Sequence, residues 1–132
     1  MGWPCVWRSF ISWLHKTRID KMGWTKHIDG GIGQLRTTDP IREHDLDSLP
    51  AQYEEGVDFI IDLTQQDPNA NVMKRVLDVQ GEWRSKGSSV VLLIEEEQQR
   101  KIDSSLEIAM APTQQEALDL IEMERIERLL NL

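Results

Sequence analysis

One unit constrains this chain more than any other: a strand, a helix and a second strand follow one another without interruption between residues 57 and 94. "VDFIIDL" (57–63) is a run of β-branched and aromatic residues, the composition of a strand covered on both faces. "QQDPN" reads as a turn. "NVMKRVLDVQGEWRSKG" then follows, with Asn69 or Asn71 placed to cap a helix and Gly87 placed to end it. At about 100° per residue, Val72, Val76, Val79 and Trp83 fall within a narrow arc flanked by Met73 and Leu77. Such a helix has one apolar stripe and lays it on a sheet. "SSVVLLI" (88–94) is the next buried strand. Strands alternating with helices in this way define an α/β fold, with right-handed crossovers setting the helices against the sheet.

The flanking stretches extend the same pattern. "WTKHIDGGIGQLR" reads as two short strands around Gly30, Gly31 and Gly33, since Asp-Gly and Gly-Gly are hairpin signals. Its glycines lack the spacing of either phosphate-binding fingerprint, so a turn is the reading. "TTDP" breaks the chain, and in "DLDSLPAQYEEG" (45–56) Leu46, Leu49 and Tyr53 stand at roughly helical spacing. Beyond the second buried strand, "EEEQQRKIDS" is a polar helix or turn and "LEIAM" (106–110) a short strand, before a closing helix. At 132 residues the chain has room for one core. The expectation is a single small domain, residues 22–132, with a mixed β-sheet and helices packed on it.

Residues 1–21, "MGWPCVWRSFISWLHKTRIDK", stand apart. Trp3, Val6, Trp7, Phe10, Ile11 and Leu14 share one helical face, with Arg8, Ser12, His15 and Lys16 opposite. This amphipathic segment is open to three readings: an extra helix on the domain, a leader outside the fold, or contact with an anionic membrane. Arg8 interrupts the apolar run and no small-residue cleavage site follows, which argues against a signal peptide. A second Met-Gly-Trp at Met22–Trp24 offers an alternative start.

Charge and cysteine narrow the function classes. The net charge is −8, yet residues 1–30 carry five Lys/Arg against Asp20 and Asp29, which leaves about −11 for the rest. An acidic body is unsuited to nucleic acid, whose phosphates need clustered Lys and Arg. Cys5 is the single cysteine, so no disulfide can form within the chain and a reducing, cytoplasmic compartment is expected. No apolar run approaches the ~18–20 residues of a membrane span. His15, His27 and His44 are scattered and show no metal-ligand spacing, and no serine sits in a nucleophile elbow. Asp62, ending a buried strand, has the place of an acid or base but is read as capping the turn that follows. The expectation is a protein that is not an enzyme and holds no cofactor or metal.

The closing helix, "PTQQEALDLIEMERIERLLNL" (112–132), changes face along its length. Ala117, Leu118, Leu120 and Ile121 centre on one side, whereas Met123, Ile126, Leu129 and Leu130 centre nearly opposite. Either the helix bends near Glu122–Met123, or it runs straight and presents the second set as an association patch. Glu122, Glu124, Arg125, Glu127 and Arg128 would then be a charged rim. No Gly or Pro marks a bend, so association is favoured, with another protein or with a second copy as a homodimer.

Three stretches resemble the STAS domain, the family of anti-sigma-factor antagonists and of the cytoplasmic tails of sulphate transporters. "VDFIIDLT" looks like that family's central strand, "NVMKRVLDVQGEWRSKGSSVVLLI" like its next helix and strand, and "APTQQEALDLIEMERIERLL" like the closing segment of its antagonists. The resemblance implies a STAS-like mixed sheet and a regulatory role in bacterial signalling through protein–protein interaction. It also implies a partner of the anti-sigma-factor kinase type. Where that family carries a phosphorylated Ser or Thr, this chain has "DPNANV", with Asn69, Ala70 and Asn71 at the signature and Val72 near its glycine. No hydroxyl remains there, and the nearest is Thr64. The expected partner-binding surface is therefore Thr64, Asn69, Ala70, Asn71, Val72 and Met73, without the phosphate switch. The alternative is a small-ligand or nucleotide-binding module using a crevice near Asp62, Thr64 and Gly33.

Overall fold

The two strands of the 57–94 unit lie side by side and parallel, joined across one face by their helix. The computed structural model describes residues 17–19, 23–37, 40–67, 69–102 and 109–131. Among these, β1 (Thr17–Ile19), β2 (Trp24–Asp29), β3 (Ile32–Thr37), β4 (Asp58–Asp62), β5 (Val90–Leu93) and β6 (Met110–Ala111) form one six-stranded sheet in sequence order. The first three strands pair antiparallel, and β3 to β6 pair parallel, so the sheet is mixed. The helices are α1 (Glu43–Ser48), which continues into a 3-10 turn at Leu49–Gln52, α2 (Ala70–Ser85), α3 (Glu96–Gln99) and α4 (Gln114–Leu130).

Each crossover from β3 to β6 steps the same way across the sheet. A constant hand puts successive crossover helices on one face, and the layer formed by α1 and α2 follows that rule. Leu46, Leu49, Val72, Met73, Val76, Val79 and Trp83 accordingly share a core with Trp24, Leu35, Phe59, Ile61, Val90 and Leu92. Because side chains alternate along a strand, Ile60, Val91 and Leu93 point to the other face. There they meet Ala111 and, from α4, Ala117 and Ile121. The result is helix, sheet and helix in three layers, which explains why β4 and β5 read as unbroken apolar runs.

Two glycine positions decide local geometry. The β2–β3 hairpin turns through Gly30 and Gly31, whose φ values of +61° and +76° are those of a two-residue turn that suits strand twist. Gly33 stands opposite Phe59 in the β3–β4 ladder, and a Cβ there would lie 3.0 Å from the Phe59 ring. That ring in turn lies 4.6 Å from the Trp83 ring, centroid to centroid. Gly33 therefore makes room in the core and does not line a crevice. One charge enters the same face: Lys26 is buried, and its Nζ donates to the Gln52 carbonyl at 3.2 Å and pairs with Glu54 at 2.7 Å. A buried ammonium needs such partners.

Several element boundaries differ from the sequence expectation. The final strand is Met110–Ala111, while residues 103–108, which include most of the expected 106–110 strand, lie outside the described residues. Residues 17–19, inside the stretch read as a leader, form the edge strand β1. The rest of the 1–21 segment lies outside the described residues.

Candidate functional site

Where β4 ends, Asp62 organises the turn into α2. Its Oδ1 accepts from the Thr64 backbone N–H at 3.0 Å and from the Thr64 hydroxyl at 2.7 Å, and its Oδ2 accepts from Gln34 at 3.4 Å. The carboxylate is thus occupied by turn formation, the role expected from its place at the strand end. Gln66 is buried and holds the loop down: its Oε1 accepts from the Ile41 N–H at 2.8 Å and its Nε2 donates to Thr37 Oγ1 at 2.9 Å. These residues border a polar cleft of about 260 Å3 lined by Arg36, Thr37, Asp62, Thr64, Gln65 and Gln66.

Asn69 then caps α2, its side-chain oxygen accepting from the Val72 N–H at 3.0 Å. Such a cap fixes the first turn of a helix by satisfying a donor that has no intrahelical partner. Ala70 and Asn71 are exposed on that turn. Asn71 donates to Glu43 at 3.1 Å, and Arg75 pairs with Glu43 at 3.0 Å and with Asp47, tying α2 to α1. The hydrogen bond to Asp47 holds the Arg75 guanidinium above its usual pKa. Val72 and Met73, expected at the partner surface, are 5% and 4% exposed and pack in the core. The reason is phase: both follow the cap on the arc that Val76 and Val79 continue inward. Thr64, Asn69, Ala70 and Asn71 remain as the accessible part of the expected set.

The second site is the far half of α4. The helix is continuous from Gln114 to Leu130, without the bend that was one of the two expectations. Met123, Ile126, Leu129 and Leu130 are 58%, 52%, 69% and 79% exposed. What faces the sheet instead is charge. Arg125 Nε donates to Asp58 Oδ2 at 2.6 Å and its terminal nitrogen to the Gly31 carbonyl at 3.1 Å. Arg128 reaches both Asp58 oxygens at 3.3 Å, the Gly87 carbonyl at 3.0 Å and Ser89 Oγ at 2.8 Å. Arg84 from α2 pairs with Glu124 at 2.6 Å. Asp58 is only 5% exposed and also accepts from the Ser89 N–H at 2.7 Å. A buried carboxylate survives because it is paired and hydrogen-bonded on both oxygens.

Arg125, Arg128 and Glu124 were expected in a rim around the apolar patch, and that expectation is corrected. The face that begins with Ala117 and Ile121 continues, at steps of three and four residues, into Glu124, Arg125 and Arg128. Following that phase past Ile121 was the available signal. Asp58, an acid at the start of β4 ahead of the apolar Phe59–Ile61 run, was the signal for their partner. Glu122 and Glu127 stay exposed beside the patch.

Compared with models of protein families, the chain matches none, and no curated protein is significantly similar to it. Among the described residues, no helix is long and apolar enough to cross a membrane, and no group of three or more His, Cys, Asp or Glu stands ready to hold a metal ion.

Proposed function

We propose that this chain is a non-enzymatic regulatory module of the cytoplasm that binds another protein through the β4–α2 turn, in the manner of a STAS-type anti-sigma-factor antagonist without the phosphate switch. The observation that carries this reading is the built turn itself. Asp62 and Gln66 lock the loop from below, Asn69 caps the helix, and Ala70 and Asn71 are presented outward on a rigid first turn. A preorganised edge of this kind loses little entropy on binding. The partner class is a serine kinase of the anti-sigma-factor type. The test is sedimentation of the full chain with such a purified kinase, beside Ala70→Arg, which places a long charged side chain on the exposed turn. A complex that forms with the wild type and not with the variant is the expected result.

The polar cleft beside Asp62 favours a second reading, a small-ligand or nucleotide-binding module. A rise in melting temperature with ATP or GTP, together with no complex in the sedimentation experiment, would establish it in place of the first.

A further inference from the structure

The cleft around Asp62 lies at the C-terminal end of β4. A larger one, of about 690 Å3, lies at the other end of that strand, where Asp58 begins β4 and Ser88 leads into β5. Its volume is that of a small-molecule site. Gly56 and Gly87 form part of its wall with φ values of +81° and +92°, and a Cβ on either would meet nothing within 4 Å. Three cations line it, Lys86, Arg125 and Arg128, against two acids, Asp58 and Glu55. This local surplus of positive charge runs against the net charge of −8 on the whole chain.

The fold does not consume that surplus. Asp58 is the shared partner of both arginines, and its oxygens are filled: Oδ1 accepts from the Ser89 N–H and from Arg128, Oδ2 from Arg125 and from Arg128. One carboxylate neutralises only one of the two guanidinium groups. Arg125 bonds through Nε and one terminal nitrogen, and Arg128 through its two terminal nitrogens. Arg125 Nη1 and Arg128 Nε thus make no hydrogen bond among the described residues. Both side chains keep more than a third of their surface exposed. Lys86 adds a third cation just beyond α2: its Nζ sits 4.6 Å from the centre of the Tyr53 ring and reaches Glu82 only at 3.4 Å. The Gly87 carbonyl, an acceptor on the same wall, is already taken by Arg128 at 3.0 Å. Glu55, the remaining acid, is exposed, so water and salt screen it.

We infer that this cleft binds a small phosphate monoester, its phosphoryl group held between Lys86 and the unfilled nitrogens of Arg125 and Arg128. Three cationic donors suit an oxyanion with three free oxygens better than a carboxylate with two. Leu129, 69% exposed, borders the cleft and offers the organic group an apolar wall. The site is separate from the β4–α2 turn, which begins about 13 Å away along the strand.

The probes are phenyl phosphate and benzoate, which share a ring and differ in the anion, titrated into the full-length chain at constant ionic strength and followed by amide NMR. Phenyl phosphate should saturate at roughly millimolar concentration, moving the amides of Gly56, Gly87, Ser88 and residues 125–129, with benzoate about tenfold weaker. Lys86→Gln, at a half-exposed side chain, should weaken phenyl phosphate about tenfold with the melting temperature little changed. Glu55→Gln should strengthen it about threefold, because it removes the opposing charge. Absence of saturation, equal affinity for benzoate, or wild-type affinity in either variant would overturn the inference. So would shifts confined to residues 62–66, which would place the ligand in the cleft beside Asp62.

Discussion

Asp58→Ala tests whether charge, and not apolar burial, holds the far half of α4. The carboxylate accepts one backbone N–H, from Ser89, and contacts two guanidinium groups. Ser89 is buried, so its N–H is left without a partner, which costs about 1–2 kcal/mol. The Arg125 and Arg128 side chains are 36% and 41% exposed, so water screens them and re-solvates them once the acid is gone. Each contact is then worth roughly 1 kcal/mol, well below the 3–5 kcal/mol of breaking a fully buried pair. The sum is about 3–4 kcal/mol, a large part of a typical domain stability of ~5–15 kcal/mol. Urea melts should show the midpoint falling with little change in slope, and amide exchange should accelerate selectively at residues 124–130. Arg125→Ala should cost less on the Asp58→Ala background than in the wild type, because the ion pair is already broken there and only the hydrogen bond to the Gly31 carbonyl remains to be lost. A wild-type midpoint for Asp58→Ala, or additive losses in that cycle, would refute the assignment.

Three further outcomes follow from the core and the turn. Val76→Asp places an unpaired carboxylate at a fully buried position between α2 and the sheet and should cost several kcal/mol, read as loss of the cooperative melt. Gly33→Ala sets a methyl against the Phe59 ring and should cost about 1–3 kcal/mol and alter the near-ultraviolet circular dichroism of the Phe59–Trp83 pair. A serine kinase of the anti-sigma type should leave Thr64 unmodified, because its hydroxyl is held by Asp62 at 2.7 Å and a phosphate there would face that carboxylate; phosphate mapped to Thr64 would overturn this.

Local periodicity encodes the elements of this fold and the faces they bury. The apolar runs of β4 and β5, the stripe from Val72 to Trp83 and the Gly30–Gly31 turn each depend on residues within a few positions of one another, so the elements and their buried faces were legible. The cap at Asn69 and the turn at Asp62 were legible for the same reason. Which distant groups meet depends instead on how the layers pack. Arg125 and Arg128 reach Asp58 across 67 and 70 positions, and that encounter depends on how the sheet registers and on which face α4 takes. Gly33, open to both a turn and a crevice from its local sequence, is set against Phe59 by the β3–β4 register. A charged side chain carries the same local signature whether it lies in a solvated rim or on a buried acid; only the packing of α4 on the sheet separates the two, because desolvation depends on what the fold brings opposite.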